Sequence, residues 1–348
     1  MKFNPKGLST AVGSYPHKDT EAVCKLIFET TPEVPVWPQL PNIDFREQID
    51  IQYSEGFPCL ILDDKKQKIY FDTSIDTSEP LADFYEKVMA EDYDYFKISS
   101  DFSRGIPVYE EYLSNNDISK IKYIKSQIVG PVTFGLGATD ETKRAIYYNE
   151  MFRDVLVKGI TMKAKWMINK FKVFNKPQIC FVDEPILCAF GSSTYISVQR
   201  DDVVNCLSEV IEALHDDNVL VGTHCCGNTE WSILVDAGID IISFDAFECG
   251  DTIAHYPDKI KLLLERGGAL AWGIVPTSEK ILGETPKSIL EKLKKAVKNL
   301  SGKGIDESLI WNQMMVTPSC GTGSLKLEMA ENILHQLQEV SELVKDGK

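Results

Sequence analysis

The chain has 348 residues, and its hydrophobic content of 43% is enough for a sizeable core. Its 37 Lys and Arg residues stand against 52 Asp and Glu residues, which gives a formal net charge of −15 at pH 7. Binding to a phosphate backbone needs clustered positive charge, so we expect no nucleic-acid partner. An anionic membrane surface would also repel this protein.

The cellular context is also constrained by composition. No uninterrupted apolar run reaches the ~18 residues of a membrane span, and the opening stretch MKFNPKGLSTAVGS lacks the apolar run of a signal peptide. The nine cysteines are odd in number and scattered, mostly inside apolar runs. That pattern suits reduced thiols better than a disulfide framework, so we expect a cytoplasmic protein without membrane contact.

Short apolar runs alternate with longer helical segments along the chain. The candidate strands are 8–14, 34–40, 123–133, 179–185, 218–226, 239–247, 269–276 and 314–320. Their continuous apolar character is typical of parallel strands that are buried on both faces. The clearest helical segments are 141–172, 199–215, 285–300 and 324–344. Eight strands with helical crossovers predict an α/β fold, a (β/α)₈ TIM barrel.

Residues 41–122 are less regular than the rest of the chain. Within them, FPCLILDDKKQKIYFDTS predicts a β-hairpin with DDKKQK as its polar turn. We interpret this region as a hairpin-containing insertion after the second barrel strand. The sequence contains no internal repeat, low-complexity tract or linker, so we treat 1–348 as a single domain.

Polar side chains end most of these strands, where TIM barrels build their active sites. The residues at these ends are Ser14, Thr133, Asp183, His224, Asp245 and Cys320. Polar residues are common wherever a strand meets solvent. Here, however, they include histidine, cysteine and aspartate, which are all residue types that bind metals.

His224 and Cys226 are one residue apart in VGTHCCGNTEW, and Cys320 lies in VTPSCGTGS. Adjacent side chains of an extended segment face opposite ways, so His224 and Cys226 share a face while Cys225 points elsewhere. One imidazole and two thiolates suit zinc, and three protein ligands leave its fourth position open. Cys249 is a weaker candidate because it lies beyond its strand end. Asp245 is placed to act as a displaceable fourth ligand.

Several motifs carry a family resemblance. The sequence has VGSYP at 12–16, GPVT at 130–133, VDEP at 182–185, then HCC, DIISFD and the Pro-x-Cys-Gly at 318–321. In this order they resemble the C-terminal barrel of cobalamin-independent methionine synthase. They are more loosely similar to the uroporphyrinogen-decarboxylase and corrinoid-methyltransferase superfamily. The similarity covers most of the chain and strengthens the zinc prediction.

The resemblance implies roles for individual residues. His224, Cys226 and Cys320 would bind Zn²⁺, and Asp245 falls where the family has a Glu that occupies the fourth position when no thiol is bound. The expected acceptor is the thiol of homocysteine.

The same resemblance implies a substrate site. Asp183 would bind the amino group of homocysteine, and the backbone near Gly13 and Ser14 would hold its carboxylate. Glu184, the neighbour of Asp183 in VDEP, is included in the expected substrate site. Asp183 and Asp245 are the expected catalytic carboxylates. No second amine-binding carboxylate can be assigned within 41–122.

Two departures from the family bear on the methyl donor. The folate-type enzyme has a Trp shortly after Gly-Pro-Val-Thr, on which the pterin stacks, whereas here the place falls near Gly137. It also has a His after the seventh strand, whereas Val275 is near that place here. A folate amine leaves poorly without general-acid help, while a methyl on cobalt needs no proton. We therefore expect a methylcorrinoid donor, methylcobalamin or a corrinoid carrier protein, in a short, core-type methionine synthase.

Three alternatives remain open at this point. The first is a corrinoid-linked methyltransferase for another thiol such as coenzyme M, against which Asp183 speaks because coenzyme M has no amine. The second is a uroporphyrinogen decarboxylase-like protein, which would need a basic cleft, and the N-terminal region is not Arg-rich. The third is a non-catalytic zinc or corrinoid-binding module, although a purely structural zinc normally has four protein ligands.

Overall fold

The computed structural model describes residues 3–216 and 218–347. The strands in the described chain are β1 (Leu8–Ser9), β2 (Leu60–Asp63), β3 (Lys68–Phe71), β4 (Ile124–Val129), β5 (Thr139–Asp140), β6 (Gln178–Asp183), β7 (Val219–Cys225), β8 (Ile241–Phe244), β9 (Ala269–Val275) and β10 (Met314–Pro318). The α-helices are α1 (Thr20–Thr30), α2 (Ser78–Met89), α3 (Gly105–Asn115), α4 (Pro131–Gly137), α5 (Glu150–Lys172), α6 (Arg200–Leu214), α7 (Ser232–Asp236), α8 (Ala246–Cys249), α9 (Pro257–Glu265), α10 (Pro286–Ser301), α11 (Glu307–Asn312) and α12 (Leu327–Lys345).

Seven strands form one parallel sheet in the order β1-β10-β9-β8-β7-β6-β4. Neighbouring strands are joined by helical crossovers, as the alternation of apolar and helical segments predicted. The first strand pairs with the last, so the two ends of the barrel sequence are adjacent in the sheet. The α/β class with a parallel sheet is thereby confirmed.

The second expected strand, 34–40, does not join this sheet as a continuous ladder. Single parallel bridges connect Gln39 to Ser14 and Val36 to Lys125, on opposite sides of the segment. Its sequence VPVWPQ contains two prolines, which cannot donate the hydrogen bonds that a ladder needs. The expected ring of eight strands is therefore a seven-stranded sheet whose two edges are linked through this segment.

Side chains alternate between the two faces of the sheet. On β6, Ile179 and Phe181 belong to an apolar cluster on the inner face, and Cys180 and Val182 belong to the larger core between the sheet and the helices. The inner cluster also contains residues of five other strands, one residue before β1 and one residue of segment 34–40. These residues are Leu8, Leu220, Ile241, Ala269, Ala271 and Met315 of the strands, together with Phe3 and Val34. Burial on both faces explains why the strand sequences are continuously apolar.

The insertion contains the expected hairpin. β2 pairs with β3 in antiparallel register from Leu60 opposite Phe71 to Asp63 opposite Lys68. β3 also pairs with the short strand β5, so the hairpin is attached to the chain that follows β4. The rest of the insertion includes α2 and α3, which sequence reasoning did not place.

Two element boundaries differ from the sequence prediction. The run expected to be a strand through 133 changes to helix at Pro131, so Thr133 lies in the first turn of α4 rather than at a strand end. Proline is favoured at the first position of a helix because its missing N–H is not needed there. The long helix expected from 141 begins at Glu150, where Asn149 caps it by accepting a hydrogen bond from the Phe152 N–H.

No helix in the described part of the chain is both long enough and apolar enough to cross a membrane.

Candidate metal centre

The carboxyl ends of β7 and β10 bring one histidine and two cysteines together. His224 is the penultimate residue of β7, Cys226 directly follows that strand, and Cys320 follows β10 by two residues. One ligand atom from each residue lies within 4.8 Å of the other two. Within residues 3–216 and 218–347, no other group of His, Cys, Asp and Glu side chains meets this description. The three residues expected to bind metal therefore converge.

His224 is buried and has one ring nitrogen engaged and one free. Nδ1 lies 3.0 Å from Oγ of Ser243 on β8. Nε2 is buried and has no hydrogen-bond partner in the described chain. A buried polar atom without a partner costs about 1–3 kcal/mol, so a ligand at Nε2 would remove this penalty. Metal-bound histidines are commonly held in this way, with the second nitrogen hydrogen-bonded to fix the ring.

The two cysteines interact with each other. A hydrogen bond between their sulfurs raises the pKa of Cys226 to about 12 and lowers the pKa of Cys320, because one sulfur retains the proton that the other accepts. The nearby His224 imidazole opposes the increase at Cys226. Cys225 is buried in the outer core, with its Sγ 3.7 Å from the Gly227 carbonyl oxygen. The alternation along β7 therefore separates Cys225 from the cluster, as the extended segment predicted.

The donor set fits a soft divalent cation. Two sulfurs and one imidazole nitrogen are the ligand types that such cations prefer, and the unpaired His224 Nε2 adds a structural reason for a ligand at this place. Three protein ligands leave the fourth position of a tetrahedral cation open. The cluster is therefore a candidate centre for metal-assisted chemistry at the carboxyl edge of the sheet.

Asp183 is the last residue of β6 and lies beside the cluster. Its Oδ1 accepts a hydrogen bond from the His224 backbone N–H at 3.2 Å. Burial raises the pKa of Asp183, and the nearby His224 and Lys125 oppose that increase. The position next to His224 is compatible with the expected substrate role, which stays a prediction.

Lys125 of β4 is a buried lysine that sequence reasoning did not identify. Its Nζ donates a hydrogen bond to the Ala11 carbonyl oxygen at 3.0 Å and lies 4.3 Å from the centroid of the Phe181 ring. Burial lowers the pKa of Lys125 to about 8, although the Asp183 carboxylate opposes that decrease. The interior of the sheet therefore contains an ammonium group that interacts with the candidate amine-binding carboxylate.

The Glu184 carboxylate is engaged by α4. It accepts hydrogen bonds from the Val132 N–H at 2.9 Å, the Thr133 N–H at 2.7 Å and the Thr133 Oγ1 at 2.6 Å. Burial raises the pKa of Glu184 to about 7. A side chain at Gly130 would begin 2.1 Å from Glu184 Oε1, so glycine is needed for this approach. These contacts join the GPVT and VDEP motifs, and the substrate-binding assignment of Glu184 stays a prediction.

Asp245 serves as the N-cap of α8. Its Oδ1 accepts a hydrogen bond from the Glu248 N–H at 2.8 Å, and burial raises its pKa. The close group formed by the histidine and the two cysteines does not include Asp245 among the described residues. The structure therefore places Asp245 in a capping role, and its expected role as a displaceable ligand stays a prediction.

Gly13 and Ser14 lie at the same edge, between segment 34–40 and the loop after β10. The Gly13 carbonyl accepts a hydrogen bond from the Gln39 N–H at 2.7 Å, and the Ser14 carbonyl accepts one from the Thr322 N–H at 2.8 Å. A side chain at Gly13 would begin 2.2 Å from Gln39 Oε1 and 2.7 Å from Gln127 Nε2. Two buried glutamines therefore adjoin the backbone that we expect to hold a carboxylate.

Some of these polar residues could have been identified from the sequence alone. Ser243 precedes Asp245 by two positions, so the alternation that paired His224 with Cys226 also places it on the inner face of β8. Lys125 and Gln127 interrupt the apolar run YIKSQIVG at the same period. Charged and amide groups at inward positions of a buried strand need partners, which marks them as candidates for the site.

The two positions that bear on the methyl donor also differ in environment. Gly137 ends α4, and a side chain added there would meet nothing within 4 Å. Val275 ends β9 and is fully buried. Neither residue offers an aromatic stacking surface or a general acid.

Comparison with solved structures gives a full-length match. A B12-independent methionine synthase from Shewanella sp. W3-18-1, solved in complex with selenomethionine, matches with a TM-score of 0.52 and 15% sequence identity over 98% of both chains. The chain shares the fold of this methionine synthase. The resemblance first seen in the ordered motifs thus extends through the three-dimensional structure.

Other comparisons are weaker. ZgEngAGH5_4 in complex with a cellotriose matches with a TM-score of 0.43 and 12% identity over 98% of this chain and 99% of that one. The GH20 modules of the pneumococcal exo-β-D-N-acetylglucosaminidase StrH match with a TM-score of 0.41 and 11% identity over 96% and 85% of the two chains. Scores this low carry no argument about function. No protein-family model and no curated protein sequence matches the chain.

Proposed function

We propose that this protein is a zinc-dependent thiol S-methyltransferase that methylates homocysteine to methionine. The observation that carries the proposal is the convergence of His224, Cys226 and Cys320 at the carboxyl edge of a parallel sheet, with a buried imidazole nitrogen left unpaired. The shared fold with a protein named as a B12-independent methionine synthase supports the same reading. The proposal treats 1–348 as one catalytic unit in a (β/α)₈ barrel that segment 34–40 completes.

Zinc held by these three residues would favour the thiolate form of a bound thiol and keep it available as a nucleophile. The chain's own residues would bind and orient the substrate. The hydrogen bond between Ser243 and Nδ1 fixes the orientation of the His224 ring. The fold therefore sets the direction of Nε2 before any ligand binds. Asp245 would leave its capping interaction to fill the fourth position when no thiol is bound.

Asp183 would bind the substrate ammonium group. It adjoins His224 through the backbone, so an ammonium held by this carboxylate would lie near the bound thiol. Gly13 and Ser14, at the same edge, would hold the substrate carboxylate. Glu184 would act beside Asp183 by keeping α4 against the end of β6. This arrangement favours an amino-acid thiol over coenzyme M, which has no amine.

For the methyl donor we propose a methylcorrinoid, presented as methylcobalamin or by a corrinoid carrier protein. The support is chemical, since Gly137 has no stacking ring and Val275 has no proton to give. The name of the solved methionine synthase, B12-independent, favours a donor without cobalt instead. Methyl-tetrahydrofolate is therefore the competing donor, and a direct comparison distinguishes the two.

The test is methyl transfer to homocysteine by zinc-loaded protein, with methylcobalamin and methyl-tetrahydrofolate supplied at matched concentration. We expect methionine from methylcobalamin, more of it when a corrinoid carrier protein presents the methyl group, and little from methyl-tetrahydrofolate. Efficient use of methyl-tetrahydrofolate would overturn the donor assignment and leave the acceptor chemistry intact. No methionine from any of the three donors would overturn the proposed function.

Zinc-edge X-ray absorption tests the acceptor step separately. Addition of homocysteine should add one sulfur neighbour to zinc and release a proton, because the metal binds the thiolate. An unchanged coordination shell would identify a structural metal and support the non-catalytic alternative.

A further inference from the structure

A cavity lies at the end of the sheet opposite the metal cluster. It has a volume of about 550 Å³ and is lined by residues from the turn before β1, from α10 and α11, and from the end of α12. Lys6 precedes β1 and Asn312 precedes β10, so the cavity adjoins the amino ends of these strands. The candidate metal centre is at the carboxyl ends, so the cavity is separate from it.

The cavity is basic in a protein of net charge −15. Its lining includes the four lysines Lys6, Lys294, Lys298 and Lys345, and Glu307 is the only acidic residue in the described lining. Lys294 pairs with Glu291 at 2.9 Å, and Lys345 pairs with Glu33. Within residues 3–216 and 218–347, Lys6 and Lys298 have no ion-pair partner.

Two lysines of the lining lie on one face of α10. Lys294 and Lys298 are separated by one helical turn on the same face, and like charges at this spacing destabilise a helix. A bound anion would relieve the repulsion between them. The lysine ammonium is a compact charge that commonly binds phosphate, so phosphate oxygens are suitable partners.

An aromatic ring forms one wall of the cavity. Trp311 of α11 is partly exposed, and its Nε1 donates a hydrogen bond to Glu307 Oε1 at 3.3 Å. The one acidic residue of the lining therefore holds the indole in place. A partly exposed indole offers a face on which a planar ring can stack.

The backbone also holds Lys6 at the cavity in an uncommon conformation. Lys6 has φ of 47°, in the left-handed region that side-chain-bearing residues rarely adopt. The next residue, Gly7, has φ of 86°, and a side chain there would begin 2.6 Å from Val344 of α12. The close packing of this turn against α12 therefore fixes the position of Lys6. Strained residues of this kind are concentrated at ligand sites.

We propose that this cavity binds a nucleoside phosphate, with the base on Trp311 and the phosphates between Lys6 and Lys298. The volume suits a ligand of this size. The ring and the unpaired ammonium groups match the two parts of such a molecule. The site goes beyond the proposed methyl transfer and requires none of its residues.

Calorimetric titration of the zinc-loaded protein with ADP at low salt tests the proposal. Adenosine and pyrophosphate serve as probes for the base and for the phosphates alone. We expect ADP to bind more tightly than either part and to quench tryptophan fluorescence. Lys298→Glu should weaken ADP binding by about tenfold or more, since it replaces an attractive charge with a repulsive one.

Lys295→Glu is the matched control because it makes the same charge change on the same helix at an exposed residue outside the lining. We expect it to change the Kd for ADP by less than about threefold. Trp311→Leu should reduce ADP affinity to that of pyrophosphate and abolish the quenching. ADP bound by the metal would be unaffected by Lys298→Glu, so that comparison separates the two sites.

Three results would overturn the proposal. The first is no ADP binding at millimolar concentration. The second is equal weakening by Lys295→Glu and Lys298→Glu, which would indicate diffuse attraction between charges. The third is pyrophosphate binding as tight as ADP binding with no effect of Trp311→Leu, which would leave only an anion site.

Discussion

At the scale of single residues, the environment of Asp183 is the most informative for substrate choice. The carboxylate is buried, accepts a hydrogen bond from the His224 N–H, and interacts with the Lys125 ammonium. A buried carboxylate has a strong requirement for a cationic partner. Lys125 supplies one cation, and the ammonium group of an amino-acid substrate would add a second, which a thiol without an amine would not.

Asp183→Asn should therefore weaken homocysteine selectively. A charge-assisted hydrogen bond contributes roughly 1.5–3 kcal/mol, so we expect the KM for homocysteine to rise by about 10- to 150-fold. The comparison substrate is 4-mercaptobutanoate, which is homocysteine without its amine, and its KM should change little. Equal losses for the two thiols would show that Asp183 does not recognise the amine, and would favour another thiol acceptor.

Lys125 should make the stability of the protein depend on pH. Its folded-state pKa of about 8 is below the value of about 10.4 expected in the unfolded chain, because burial disfavours the charged form. Between these values the unfolded chain binds more protons, so the free energy of unfolding rises with pH. The gain from this group is about 3 kcal/mol between pH 7 and pH 10.5.

The measurement is urea unfolding of the wild type and of Lys125→Met across this pH range. The difference between the two proteins isolates Lys125 from the other groups that titrate. We expect the wild type to gain stability relative to the variant as the pH rises. A constant difference would show that folding does not shift the pKa of Lys125.

At the scale of elements, segment 34–40 depends on α3 for its position. The segment has only single bridges to its neighbours, and the first residue of α3, Gly105, packs directly against it. A side chain at Gly105 would begin 1.9 Å from the Pro38 carbonyl oxygen. The insertion thus supports the one part of the barrel sequence that lacks a regular ladder.

Gly105→Ala should destabilise the protein by about 1–3 kcal/mol, because the backbone of one element must shift. Gly137→Ala is the matched control, since a side chain there meets nothing within 4 Å. We expect Gly137→Ala to be neutral or to stabilise by up to about 1 kcal/mol. Denaturant unfolding of both variants checks this, and equal effects would contradict the packing of α3 on segment 34–40.

At the scale of the whole molecule, the candidate metal centre joins distant parts of the chain. Its ligands come from β7 and β10, which are separated in the sheet by β8 and β9. A cation bound there would link the two strands in the folded protein only. Metal binding should therefore stabilise the entire fold.

Zinc should raise the free energy of unfolding by about 4 kcal/mol when free zinc is about 1,000 times its Kd. Thermal unfolding with zinc and with a chelator measures this effect. Cys320→Ser should abolish the shift together with metal content and activity. Cys59→Ser, the same change at a partly exposed cysteine just before β2, should retain the shift. Full metal content in Cys320→Ser would remove Cys320 from the site.

The sequence by itself determined the α/β class, most of the strands and the three clustered residues. Continuous apolar runs indicated strands buried on both faces, and the period of two placed His224 and Cys226 together and Cys225 apart. The hairpin in the insertion was also predicted, since its polar turn and flanking strands are local features. The hairpin and the alternation along β7 could be predicted because they depend on the residues of one segment. Cys320 was included because it ends another strand of the same predicted barrel.

Only the tertiary structure decided the features that depend on contacts between distant segments. The Glu184 carboxylate binds the first turn of α4, Asp245 caps α8, and Ser243 holds the His224 ring. Segment 34–40 makes bridges instead of a ladder because its prolines lack donors and its neighbours come from other parts of the chain. The lysine-lined cavity also depends on distant segments. The packing of the helices brings Lys6, Lys298 and Trp311 together, and no local sequence pattern predicts this.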